Sequence, residues 1–343
     1  MKLVCRLSQQ RRTCFGRVRQ RAGFAMTKPL IAPTRVFRDY LCNSLVWNDF
    51  LTQGGFAGGD ILIVTPVKSG TTWTQRIVQQ ILRNGAENDG SLSDTSPWLD
   101  SSWGDHADML DVLGRQRAAG SRRVIKSHLP ADALPIAAEA RYVFVGRNGK
   151  DSGISFHNML SNYSESTLAQ INQTYARWSG DSTPLTVPED MRAFFDLWLD
   201  TGGNGCGDLF DLVRSWWELR DEPNVLLLHY RELTDDLPGQ IARIAEFIGI
   251  DPASLHIDDI VEHCAFDYMR GRADQLAPFN GAHMSSAAAF FHKGPNRDYR
   301  SELTAEQVAR FDRVALDKLG AQCARWLETG ELSRGGEAAT GLG

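Results

Sequence analysis

The sequence predicts an α/β protein built on a parallel sheet. Short apolar runs at 61–64, 142–145 and 225–228 read as buried strands, each followed by a stretch of helical periodicity. Strands alternating with helices form parallel sheets, because each crossover returns the chain to the same end. The 343 residues, 42% hydrophobic and 23% charged, are enough to bury such a core without disulfides.

The elements follow in chain order. Residues 1–25 carry seven basic side chains and no acid, the composition of an organelle transit sequence or of a start-site artefact with Met26 behind it. This arm is set apart from the fold. A domain is expected over 35–327, with a strand at 61–64, a helix over 72–83 with Trp73, Ile77 and Ile81 on one stripe, and a short strand at 123–125. Strands at 142–145 and 225–228 precede helical stretches near Ser155 and over 241–248. Between them, 161–207 breaks the rhythm with Pro184, Pro188 and a Gly202-Gly203-x-Gly205 cluster around an apolar helix, 191–199. It reads as an insertion over one edge of the sheet. The tail, 331–343, is small and polar enough to be disordered.

Composition removes several function classes. No apolar run approaches the ~18 residues that cross a bilayer, so no transmembrane segment is expected. Of 37 basic residues seven lie in the arm, leaving 30 against 42 acids in the body, and such a surface repels a phosphate backbone. No nucleic acid is expected as a partner. Six scattered cysteines without a C-x-x-C pair suit a reducing, cytoplasmic setting, with organelle import by the arm as the alternative, and no metal site is expected.

The chemistry sits at strand ends. After 61–64 comes Thr65-Pro66-Val67-Lys68-Ser69-Gly70-Thr71-Thr72-Trp73, a loop that offers a helix N-terminus, small residues, hydroxyls and one Lys to an anion. It is not G-x-x-x-x-G-K-[ST], because Lys68 precedes Gly70. The bland reading is a capped turn with Thr71 or Thr72 as N-cap. Arg147-Asn148-Gly149-Lys150-Asp151 follows a second strand, where a Mg²⁺-using NTPase would need an acid, and Ser155 stands eight residues after Arg147. Lys126-Ser127-His128 follows a third, with Lys126 and His128 on one side by the period of two. Each motif alone could be ordinary surface, but three basic strand-end loops in one chain point to one anion-binding crevice.

In order and spacing these motifs resemble the cytosolic-type sulfotransferases that use 3'-phosphoadenosine 5'-phosphosulfate (PAPS), over residues 35–327. A fourth motif, Phe290 to Gly294, agrees. The resemblance implies a P-loop-like three-layer fold, a central parallel sheet flanked by helices. It implies that Lys68, Ser69, Gly70, Thr71, Thr72 and Trp73 hold the 5'-phosphosulfate. Arg147, Ser155, His292, Lys293 and Gly294 hold the 3'-phosphate, and Trp73, Tyr230 and Phe266 hold adenine. His128 is the general base, with Lys68 and Lys126 assisting, no metal taking part and 3',5'-ADP as product.

Departures are visible too. Pro66-Val67-Lys68 stands where the family has Pro directly before Lys, and His292 where it has Arg. Cys264 replaces a Thr near adenine, and Arg297-Asp298-Tyr299 replaces Gly-Asp-Trp. The family's dimer motif is absent, which leaves oligomeric state open. A small-molecule hydroxyl acceptor is expected, held by Trp98, Trp103, Phe194, Phe195 and Trp198 unless these aromatics are core. Two other readings remain: a P-loop kinase, which the missing Walker residues oppose, and a nucleotide-binding protein without catalysis.

Overall fold

The structure, a computed structural model, describes residues 30–87, 90–102, 104–202, 207–277, 283–284, 286, 290–291 and 299–332. The arm at 1–25, Trp103, His292, Lys293, Gly294 and the tail from 333 lie outside the described residues.

In chain order the elements are β1 (Leu30–Ile31), α1 (Val46–Thr52), β2 (Ile61–Val64), α2 (Thr71–Leu82), α3 (Leu92–Thr95), α4 (His106–Ala118), β3 (Val124–Ser127), β4 (Ile136–Ala137) and β5 (Arg141–Gly146). There follow α5 (Gly149–Ser161), α6 (Glu165–Ser179), α7 (Met191–Asp200), α8 (Leu209–Trp217), β6 (Val225–His229), α9 (Tyr230–Asp235) and α10 (Leu237–Phe247). Last come α11 (Ile257–Cys264), α12 (Phe266–Gly271), α13 (Ala273–Leu276) and α14 (Ala305–Thr329). The sheet is four-stranded and parallel in the order β3-β2-β5-β6, with Val64 opposite both Ser127 and Phe144, and Gly146 opposite His229.

Successive strand residues face opposite sides, and the core divides accordingly. Ile61, Ile63, Val124, Val143 and Val145 pack against Ile77 and Ile81 of α2, Ile241 and Ile244 of α10 and Ile260 of α11. Leu62, Val64, Ile125, Tyr142 and Phe144 face Trp47 of α1, Ile154 of α5, Trp216 of α8 and Trp326 of α14. That is the expected three-layer arrangement. Trp73, Ile77 and Ile81 share one face of α2, and the polar faces are covered too, since Thr74, Gln75, Arg76, Gln79 and Gln80 are buried as well. They bond outward to neighbours, Gln75 Nε2 to the Ser96 carbonyl at 2.8 Å and Arg76 Nε to the His263 carbonyl at 3.2 Å. Periodicity shows an apolar stripe but not what covers the polar faces.

At the N-terminal end of the sheet Arg123 Nε donates to Asp60 Oδ1 at 2.9 Å, pinning the starts of β2 and β3 side by side. Both side chains are buried, which makes the pair costly to break from either side. The C-terminal strand ends are thereby aligned at the other end of the sheet, where open α/β folds bind ligands.

Candidate active site

All four parallel strands deliver a singled-out residue at their C-terminal ends. β2 leads into the Lys68 loop, β3 carries Lys126 and runs into His128, β5 runs into Arg147 and β6 into Tyr230. β2 has β3 on one side and β5 on the other, so its loop opens where the strand order reverses.

Backbone conformation shapes that loop. Lys68 has φ 64°, a left-handed conformation that costs a side-chain-bearing residue ~1–3 kcal/mol and is held only where the surroundings enforce it. Gly70 has φ 95°, and a Cβ there would lie 2.8 Å from Tyr230 Cδ2, so only glycine fits. Gly70, not Thr71 or Thr72, is the N-cap of α2, and no side chain caps that helix. Its first-turn N–H groups are left for an anion. Thr71 Oγ1 instead lies 2.6 Å from Thr65 Oγ1, closing the loop across its base. Ser69 Oγ lies 3.3 Å from Ser152 Oγ on α5.

Arg147 ties the loop to the neighbouring strand end. Its Nη1 donates to the Lys68 carbonyl at 2.9 Å, and its guanidinium sits 4.4 Å from the Tyr230 ring centroid. Tyr230 meets Trp73 edge-on at 5.5 Å, and Trp73 Nε1 donates to the Cys264 carbonyl at 2.9 Å. Phe266, two residues beyond Cys264 at the start of α12, packs in the same cluster as Trp73. Trp73 of α2 therefore meets Tyr230 of α9 and shares a cluster with Phe266 of α12. Ser155 lies on α5, half-buried.

Lys126 and His128 meet as the period of two requires. Both are nearly inaccessible, 5% and 4% exposed, and both touch one indole. Lys126 Nζ is 4.2 Å from the Trp98 ring centroid, and the His128 ring stands edge-on to Trp98 at 4.9 Å. His128 Nδ1 lies 2.7 Å from the Thr65 carbonyl oxygen. A carbonyl only accepts, so Nδ1 carries the ring hydrogen and Nε2 keeps a lone pair. Burial, then the charge of Lys126, holds the imidazole well below its ordinary pKa and therefore neutral at pH 7. Burial, Arg147 and Lys126 likewise bring Lys68 down to about 7. Three cations crowding one crevice are the signature of a site built for a multiply charged anion.

Of the two roles left open for the aromatics, acceptor wall or core, Phe195 and Trp198 take the second: they pack with Phe311 of α14, Trp198 stacked on it at 6.3 Å, and close over Gly153 of α5. Phe194 lies against Phe156 and His157. These rings are core, because α14, distant in sequence, covers the α7 face. Among the described residues of that set, Trp98 is the one placed beside His128.

Sequence reasoning missed Thr65, Phe290 as a ring 4.2 Å from Lys68 Nζ, and Asp100. Asp100 is fully buried, accepting from Trp98 Nε1 at 2.7 Å and Ser127 Oγ at 2.5 Å. Its only sequence signal is an acid within an aromatic segment. Among the described residues no group of His, Cys, Asp and Glu could hold a metal ion, and no helix is long and apolar enough to cross a membrane.

An α/β fold with a Lys-bearing anion loop, flanking cations and a neutral His at strand ends is a group-transfer architecture. The pattern described as the sulfotransferase domain matches residues 58–322, and the chain belongs to that family. It is 29% identical over 300 residues to the glycolipid sulfotransferase of Mycobacterium bovis, covering 81% of this chain and 90% of the relative. It is 29% identical over 274 residues to mouse sulfotransferase 1B1, covering 76% and 83%. Among solved structures, mouse sulfotransferase SULT7A1 complexed with PAP superposes with a TM-score of 0.62 at 24% identity, covering 87% of this chain and 97% of that one. Retinol dehydratase in complex with retinol and PAP gives 0.57 at 20%, covering 81% and 86%. At that identity the likeness shows the fold.

Proposed function

We propose that this protein transfers a sulfuryl group from PAPS to a hydroxyl of a small, largely apolar acceptor, with His128 as general base. The carrying observation is the Nδ1 contact with the Thr65 carbonyl, which leaves Nε2 unprotonated on the nearly buried ring beside Lys126. The cradle suits a phosphorylated donor: Gly70 admits no Cβ, the α2 N-terminus is uncapped, and Lys68, Lys126 and Arg147 converge. When bound, the donor supplies an activated sulfuryl group on a 5'-phosphate leaving group.

The chain's own residues then divide the work. His128 Nε2 takes the acceptor hydroxyl proton as the new S–O bond forms, a step typically worth ~10² to 10⁴ in rate. Lys68 and the Gly70 to Thr72 N–H groups stabilise charge that grows on the departing phosphate oxygen as the old S–O bond breaks. Lys126 steadies the sulfuryl oxygens. Arg147 with Ser155, and His292, Lys293 and Gly294, hold the 3'-phosphate, while Trp73, Tyr230 and Phe266 hold adenine. Trp98 supplies the apolar wall beside the base. The relatives named for a glycolipid and for retinol support an apolar acceptor.

The test is His128→Ala, assayed with labelled PAPS against phenols, sterols, aliphatic alcohols and glycolipids. Turnover should fall ~10²-fold or more while 3',5'-ADP binding changes little. Unchanged turnover overturns the assignment of the base.

A further inference from the structure

Asp100 is a carboxylate with no exposed surface and, among the described residues, no ion-pair partner. Uncharged donors surround it instead. Trp98 Nε1 donates to Oδ1 at 2.7 Å, and Ser127 Oγ donates to Oδ2 at 2.5 Å. Trp47 Nε1 reaches Oδ2 and the His128 backbone N–H reaches Oδ1, each at 3.4 Å. Four donors converging on two oxygens need an acceptor-only group, which an ionised carboxylate is and an amide is not. Burial without a cation is costly and raises the Asp100 pKa to about 6, against which the hydrogen bonds from Ser127, Trp98, the His128 backbone and Trp47 work.

Its partner Trp98 touches Lys126 and His128, and its partner Ser127 lies between those two in the chain. The segment is also stitched to the strand edge. Lys126 N donates to the Pro97 carbonyl at 2.9 Å, and Asn43 N donates to the Asp100 carbonyl at 2.8 Å. The indole can turn about two side-chain torsions, and a single hydrogen bond from its Nε1 fixes which way the ring lies.

We propose that Asp100 is a positioning residue for the transfer: it locks the Trp98 indole against Lys126 and His128, and so sets where the acceptor hydroxyl can stand. A hydroxyl displaced by about 1 Å from its line of attack can lose ~10²-fold in rate, so one bond to a wall can matter without touching substrate. This rests on Lys126 and His128 being the reacting pair.

The experiment is a double-mutant cycle on the full-length enzyme, with Asp100→Asn, Trp98→Phe and the pair. It is read as acceptor kcat/KM with labelled PAPS and the panel acceptor turned over fastest. Binding of 3',5'-ADP is measured beside it. Trp98→Phe keeps a ring but removes the N–H, and Asp100→Asn keeps the size but removes an acceptor. Each single change should lower acceptor kcat/KM about tenfold, and the pair should fall short of the product by about fivefold or more. The 3',5'-ADP Kd should stay within about threefold in all three. Multiplicative losses, or 3',5'-ADP binding lost in step with kcat/KM, would overturn the proposal, since the bond would then be plain scaffolding. If Asp100→Asn does not fold, Trp98→Phe decides: unchanged acceptor kcat/KM there also overturns it. Retained turnover in His128→Ala would overturn the base assignment on which the proposal rests, an outcome separate from multiplicative losses in the cycle.

Discussion

Donor binding should depend on pH through Lys68, and the structure sets the sign and the size. Burial, then Arg147 and Lys126, lowers the Lys68 pKa from 10.5 to about 7 in the free protein. A phosphorylated nucleotide brings the opposite charge into the crevice and restores the ammonium as the favoured form, raising that pKa in the complex. Below pH 7 the free protein already holds the proton, so binding takes up none. Above pH 7 the free protein has lost it, the complex must regain it, and affinity falls as pH rises. One pH unit corresponds to ~1.36 kcal/mol, so Kd for 3',5'-ADP should rise about eightfold between pH 7.5 and 8.5. The ligand's phosphates, titrating near ~6, contribute little in that window. Calorimetric titration in two buffers of different ionisation heat reads both the Kd and the proton taken up, close to one per site at pH 8.5. Lys68→Met should bind more weakly and without the slope. A flat Kd in the wild type, or the same slope in Lys68→Met, refutes the reasoning.

Two further outcomes follow from the same crevice. Arg147→Ala removes a cation from the proposed 3'-phosphate site and its bond to the Lys68 carbonyl. The preference for PAPS over adenosine 5'-phosphosulfate should shrink, with a cost of ~1.5–3 kcal/mol in 3',5'-ADP binding, and an unaltered donor preference would remove Arg147 from that role. Gly70→Ala places a Cβ 2.8 Å from Tyr230 Cδ2 at a positive φ, so 3',5'-ADP binding should weaken by about tenfold or more with the core intact. Thermal unfolding beside the binding titration separates a local from a global effect, and unchanged affinity would show that the loop can relax.

Much of the architecture was legible because it is local. A strand running through Lys68-Ser69-Gly70 into a helix is one continuous segment, and the alternation along β2, β3 and β5 follows from the two-residue period. Parallel strands put all their C-terminal ends on one side, so three basic loops placed far apart in sequence already implied one crevice. Local pattern was enough for the layers, the Lys68 loop at a strand end, the spacing of Lys126 and His128, and the family resemblance.

What it left open rests on contacts between distant segments. The side of His128 that keeps its lone pair depends on the Thr65 carbonyl, 63 residues away. The depressed pKa of Lys68 needs Arg147 and Lys126 beside it, and the Trp98 ring is set by a buried Asp100 whose other donors come from α1 and β3. Phe195 and Trp198 became core because α14 closed over them, a covering that no pattern within α7 could reveal. A period in sequence says which residues share a face. Only tertiary packing decides what faces them, and burial and nearby charge then fix protonation, orientation and access.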